Sequence, residues 1–148
     1  MHLCDAVSIA SLLNAGADTR ALDEEGATPL HSNRNPESRL LAPGVNVRDS
    51  FGFTPLHRAA WAGDYERIDW LLANGADASL ESTARYSNAA SFDPKAFDDT
   101  RFDFPPGQRA YDLARYWYEE KKWSTGTRYH MVMERLDKHT PRRGLFRR

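Results

Sequence analysis

Two short blocks recur along this chain, and together they restrict its fold more than any other feature. The first reads Gly26-Ala27-Thr28-Pro29-Leu30-His31 and again Gly52-Phe53-Thr54-Pro55-Leu56-His57. The second reads Leu12-Leu13-Asn14-Ala15-Gly16-Ala17-Asp18, returns as Leu71-Leu72-Ala73-Asn74-Gly75-Ala76-Asp77, and is eroded in Leu40-Leu41-Ala42-Pro43-Gly44-Val45-Asn46. Recurring helix openings and endings describe copies of one supersecondary unit. Such a unit cannot bury its apolar stripe alone and must stack on its neighbours.

The unit from Gly52 to Asp77 can be read residue by residue. Gly52 supplies a permissive backbone for a tight turn. Thr54 precedes Pro55 as an N-cap whose hydroxyl can accept from orphan helix amides, and proline loses nothing at a first helical position. Leu56, Ala59 and Ala60 form an i, i+3, i+4 stripe, with small residues that allow close helix approach. Gly63 ends this helix. A second helix from about Tyr65 places Ile68, Leu71 and Leu72 on one face and stops at Gly75, which suits the left-handed position after a helix end.

These motifs resemble the ankyrin repeat, a stack of roughly 33-residue units of β-turn, helix and helix. The resemblance implies an all-α solenoid of helix-turn-helix units with β-turn fingers, about three to four in number, and a binding scaffold rather than an enzyme. Three departures shape the expected organisation. The chain enters almost at a second helix, Asp5 to Asn14, so the first repeat is incomplete. The repeat opened by Gly26 is short, with Pro36 forbidding one continuous helix and a short helix expected over Glu37 to Leu41. A long insertion then precedes Gly107-Gln108-Arg109-Ala110-Tyr111-Asp112-Leu113-Ala114, which resembles a last repeat with helices over Ala110 to about Lys122 and about Thr127 to Lys138. The expected repeats are 1–22, 23–48, 49–81 and 107–138, with an inserted loop at 82–106, and residues 139–148 form a basic tail.

A 148-residue chain with 41% hydrophobic residues sits in the ordinary range for one globular domain. A formal net charge of -1 gives no whole-chain argument for nucleic acid or an anionic membrane. The single Cys4 cannot form an internal disulfide, and no apolar stretch approaches the roughly 20 residues a bilayer span needs. The reading is a reducing cytosolic compartment, or a nuclear one.

The ankyrin resemblance places partner contacts at the turn tips and just after the first-helix alanines. Those positions carry Phe51, Phe53, Trp61 and Ala62, and in the last repeat Gln108 and Tyr116. Aromatic rings where a solvated scaffold would favour polar groups point to a contact surface for another protein. The competing reading is that the insertion folds back and buries these rings within the chain. Trp117 is claimed by both core and surface. Phe92, Phe97 and Phe102, each followed by aspartate at five-residue spacing, serve either as partner contacts or as staples that hold the loop to the solenoid. Five residues is neither a helical nor a strand period.

The tail residues Lys138, Arg142, Arg143, Arg147 and Arg148 read as a basic address or an acidic-partner patch, as a route to nucleic-acid or anionic-membrane association, or as a solvated end. A further reading makes the chain a capping piece of a larger ankyrin protein without binding of its own. His31 and His57 belong to the hydrogen-bond network of their turns. His130 and Glu134 lack the second histidine of a zinc helix, and the aspartates near Asp98 match no calcium loop. No catalytic residue, cofactor, metal site or small-molecule substrate is expected.

Overall fold

The computed structural model describes residues 11–32, 40, 44–87, 102–121 and 126–140. Residues 11–14 are helical and lead into the turn at Gly16. Among the described residues five α-helices follow: α1 (Pro29–Ser32), α2 (Pro55–Ala62), α3 (Tyr65–Ala73), α4 (Ala110–Lys121) and α5 (Gly126–Asp137). Two short strands, β1 (Tyr86–Ser87) and β2 (Asp103–Phe104), lie between α3 and α4. The expected short helix over Glu37 to Leu41 falls outside the described residues apart from Leu40, which is buried. The start of the helix expected from Asp5 falls outside them as well.

Helix α2 starts as its sequence dictates. Thr54 is extended (φ −89°, ψ 167°), and Pro55 occupies the first turn, where a missing N–H costs nothing. The Thr54 N–H donates to His57 Nδ1 at 3.1 Å, and its hydroxyl lies 2.9 Å from the same nitrogen. Gly63 ends the helix with φ 67°, and the following Asp64 accepts the Arg67 N–H on its side chain to open α3.

The same bonds recur from unit to unit. Thr28 N–H donates to His31 Nδ1 at 3.1 Å, and Arg109 N–H donates to Asp112 Oδ2 at 2.9 Å. Asp112 thus replaces histidine at the third opening. In the turns before these helices, Asp23 N–H donates to Ala27 O, Asp49 N–H to Phe53 O, and Ser82 N–H to Gln108 O, at 3.0, 2.9 and 2.8 Å. Gly26, Gly52 and Gly107 donate back to Asp23, Asp49 and Ser82, each at 2.9 Å. Two residues separate Asp49 from Gly52, whereas residues 83–106 separate Ser82 from Gly107 over the same closing bonds.

That closure explains the strands, where the five-residue period suggested neither helix nor strand. Because Ser82 and Gly107 are tied together, the two chain segments leaving them run side by side in opposite directions. They pair as Tyr86 with Phe104 and Ser87 with Asp103. Arg85 and Asp103 add an ion pair at 2.6 Å.

Packing follows the stack. Helix α4 lies on α2 and α5 lies on α3. Ala59 and Ala60 of α2, with Ala110 and Ala114 of α4, are fully buried small residues, so the inner helices meet closely. Ile68 and Leu71 of α3 meet Val132 and Leu136 of α5 in the same core. Each buried leucine contributes on the order of 2 kcal/mol by removal from water.

Candidate protein-binding face

The inner helices and their turns carry a second cluster, built on buried Phe53, Phe104 and Leu113. Phe51, Trp61, Tyr86, Phe102 and Tyr116 pack around these three and keep part of their surface. Most of the rings meet edge to face, as their quadrupoles favour, while Phe102 stacks on Tyr86 and on Phe104 with planes 28° apart. Trp61 lies 5.4 Å from Tyr86, 4.7 Å from Phe102, 5.6 Å from Phe104 and 4.9 Å from Trp117, between ring centroids. Phe51 lies 4.7 Å from Tyr86, and Phe104 lies 4.8 Å from Tyr116.

The geometry corrects one expected contact residue outright. Phe53 is 1% exposed and stacks on His57 with nearly parallel planes, so it belongs to the core rather than to a surface. The reason lies in the turn: Asp49 Oδ1 accepts both the Phe51 and Phe53 N–H groups, which turns Phe53 inward while Phe51 stays at the rim. Trp61, Ala62, Gln108 and Tyr116 are half-buried. The Gln108 backbone is spent internally, accepting from His57 Nε2 and donating to Ser82 Oγ, both at 3.0 Å. Trp117 is buried. Phe102 is half-buried against Trp61 and Tyr86, while Phe92 and Phe97 lie outside the described residues.

Folding-back of the segment after Ser82 is therefore the arrangement seen for its described ends. Tyr86, Phe102 and Phe104 cover Phe53 and one side of Trp61, and the Phe51 carbonyl accepts from the Thr83 and Ala84 amides at 3.0 and 3.1 Å. What remains open is the rim of the cluster.

Sequence reasoning missed Arg58. Its guanidinium pairs with Asp49 at 2.6 Å and Glu25 at 2.7 Å, linking two successive turns. It also sits 5.5 Å from the Phe53 ring and 5.4 Å from the Tyr86 ring, within cation–π range. Burial works most strongly against its charge, but Asp49, with smaller help from Tyr86 and Glu25, raises its pKa overall. The signal was present as Asp23-Glu24-Glu25-Gly26 and Asp49-Ser50-Phe51-Gly52, which place aspartate three residues before each turn glycine.

The histidines also tie the units together. His57 is held neutral, its pKa pushed down to about 4 by burial against the raising effect of the Gln108 carbonyl. His31 is lowered too, mainly by burial. With Nδ1 accepting, each Nε2–H donates to the next unit, His31 to Phe53 O and His57 to Gln108 O, both at 3.0 Å. Both imidazoles are occupied structurally. Among the described residues no group of three His, Cys, Asp or Glu side chains could hold a metal ion, and no helix is long and apolar enough to cross a membrane.

Paired helices, hydrogen-bonded turns and histidine ties from unit to unit define a solenoid scaffold of stacked helical repeats. A family model for ankyrin repeats, in three copies, matches residues 3–82, more than half of the chain, and the chain belongs to the ankyrin repeat family. Ankyrin repeat domains are non-catalytic scaffolds for protein–protein interaction. The α4–α5 pair lies beyond the matched residues, yet it takes up the same opening bond and the same histidine tie.

Proposed function

We propose that this chain binds a partner protein through the inner helices and turn fingers, with Phe51, Trp61, Ala62, Phe102, Gln108 and Tyr116 at the contact. The observation that carries this reading is the half-open rim of aromatic rings around buried Phe53, Phe104 and Leu113. Rings held rigid by their neighbours offer large contact area at little entropic cost, which is why they are enriched at interface hot spots. The scaffold is organised as about three to four repeats, near 1–22, 23–48, 49–81 and 107–138. An inserted loop spans 82–106, and 139–148 form a basic tail. A lone cysteine fits a reducing cytosolic or nuclear setting.

The test uses rim residues whose loss spares the core. Immobilised chain captures a partner, and Phe51→Ala and Tyr116→Ala variants are compared with it at matched thermal stability. Each variant is expected to lose about tenfold or more in affinity for the same captured protein. Capture unchanged in both variants would remove the aromatic rim from the binding reading.

A further inference from the structure

The turn that ends α3 holds a chemically reactive pair. Asn74-Gly75 is the only Asn-Gly dipeptide in the chain, since the matching glycines of the first two units follow Ala15 and Pro43. Asn74 and Gly75 are both exposed, and a Cβ added at Gly75 would meet nothing within 4 Å. In such a pair the glycine nitrogen is free to attack the asparagine side-chain carbonyl carbon, because no Cβ crowds its approach. The new C–N bond closes a succinimide ring, and the Asn74 amide nitrogen leaves as ammonia, carrying the proton that the Gly75 nitrogen loses. Water then opens the ring at one of its two carbonyls. The products are aspartate and isoaspartate, the latter with the main chain routed through the side-chain carbon.

The folded turn opposes that attack. At ψ 15° the Asn74 backbone turns the Gly75 nitrogen away from the side chain, so ring closure needs rotation about this bond. Rotation breaks the bond from Gly75 N–H to Leu72 O at 3.1 Å and draws Asn74 Nδ2 off Trp70 O, to which it donates at 2.8 Å. The preceding unit clamps the same turn from outside: Asn46 Nδ2 donates to Gly75 O at 3.3 Å, and Asn46 Oδ1 accepts the Asp77 N–H at 2.9 Å. We propose that Asn74 is a site of spontaneous deamidation whose rate is set by the Asn46 clamp on Gly75 and Asp77. The conversion runs one way and acts on the clamp itself. A carboxylate at position 74 stands at the negative end of α3 and no longer donates to Trp70 O, and isoaspartate adds one carbon to the backbone before Gly75, which moves Gly75 O and Asp77 N off Asn46. The product loosens the joint between the second and third units. This inference is independent of the partner-binding reading.

The experiment incubates the whole chain in mildly alkaline buffer, folded and in parallel unfolded by urea, and follows the Asn74 peptide by mass spectrometry with an isoaspartate assay. Conversion at Asn74 is expected in both samples, about tenfold or more slower in the folded chain because it passes through local opening. Asn46→Ala is expected to speed conversion of the folded chain about fivefold or more and to leave the unfolded rate unchanged. Asn46→Asp keeps the acceptor for Asp77 and loses the donor to Gly75, so it should give a smaller acceleration, and it serves if Asn46→Ala does not fold. Leu136→Ala weakens the buried core away from the turn and controls for global unfolding. In the converted chain the Asp77 amide should exchange with solvent faster than in fresh chain. Equal rates in folded and unfolded chain, no product in either the folded parent or folded Asn46→Ala, an acceleration by Asn46→Ala no larger than that of Leu136→Ala for the same loss of stability, or unchanged Asp77 exchange after conversion overturns the proposal.

Discussion

At Gly52 the backbone φ is +76°, and a Cβ there would stand 2.5 Å from the Thr83 backbone nitrogen and 2.2 Å from its Oγ1. Glycine is required twice over, for conformation and for space. Gly75 has φ +88° with nothing within 4 Å, so it isolates the conformational cost. Gly75→Ala is expected to cost about 1 kcal/mol and Gly52→Ala at least about 2 kcal/mol more, measured by urea unfolding. Equal losses would mean that the chain at Thr83 is not pressed onto the second finger. His57 makes a second residue-scale prediction. Its folded pKa of about 4 lies below the ordinary 6.5, so its contribution is fully present above pH 6.5. Between pH 6.5 and about 4 the unfolded chain takes a proton that the folded chain refuses, and stability falls by roughly 3 kcal/mol, with His31 adding in the same direction. An unfolding free energy that stays flat across that window would contradict a neutral imidazole donating to Gln108.

Helices α2 and α3 are the elements whose loss the stack tolerates least, since each has a neighbour on it and Leu71 is fully buried against α5. Leu71→Ala is expected to cost about 2 to 5 kcal/mol, whereas a change at exposed Ser32 that adds no new contact stays within about 0.5 kcal/mol. Coincident denaturation midpoints for Leu71→Ala and Ser32→Ala would place the core elsewhere. The element scale also revises what Trp61 tests. Its ring touches Tyr86, Phe102, Phe104 and Trp117, so Trp61→Ala removes packing between α2, the strand pair and α4. A stability loss of about 2 kcal/mol or more is expected in calorimetry, and a partner contact is better judged at Phe51 and Tyr116.

Across the whole molecule, the equal closing bonds at Asp49–Gly52 and Ser82–Gly107 suggest an excision. Replacing residues 83–106 by Ser-Phe, the tip of the second finger, should leave the helical stack folded, because the bonds at the finger base are unchanged. The rings of Tyr86, Phe102 and Phe104 would then be gone from Trp61 and Trp117, and tryptophan emission should shift to the red. Loss of cooperative unfolding in the excised chain would instead show that the strand pair is part of the minimal stack.

Helix openings, helix ends and the apolar stripes were legible in the amino-acid sequence alone, because proline, glycine and the spacing of Leu56, Ala59, Ala60, Ile68 and Leu71 act over a few residues. The bounds of α4 and α5 fall within a residue of those that the resemblance of Gly107 to Ala114 to a last ankyrin repeat implied. Which rings face inward was decided by tertiary structure. Phe51 and Phe53 are chemically alike and two positions apart, and only the Asp49 carboxylate, with the Tyr86 and Phe104 rings arriving from a strand pair formed after Ser82, makes one core and the other rim. The bridge of Arg58 across two fingers was hidden for the same reason: ion pairs and ring contacts between residues far apart in the chain leave no local period, and exist only once the units are stacked.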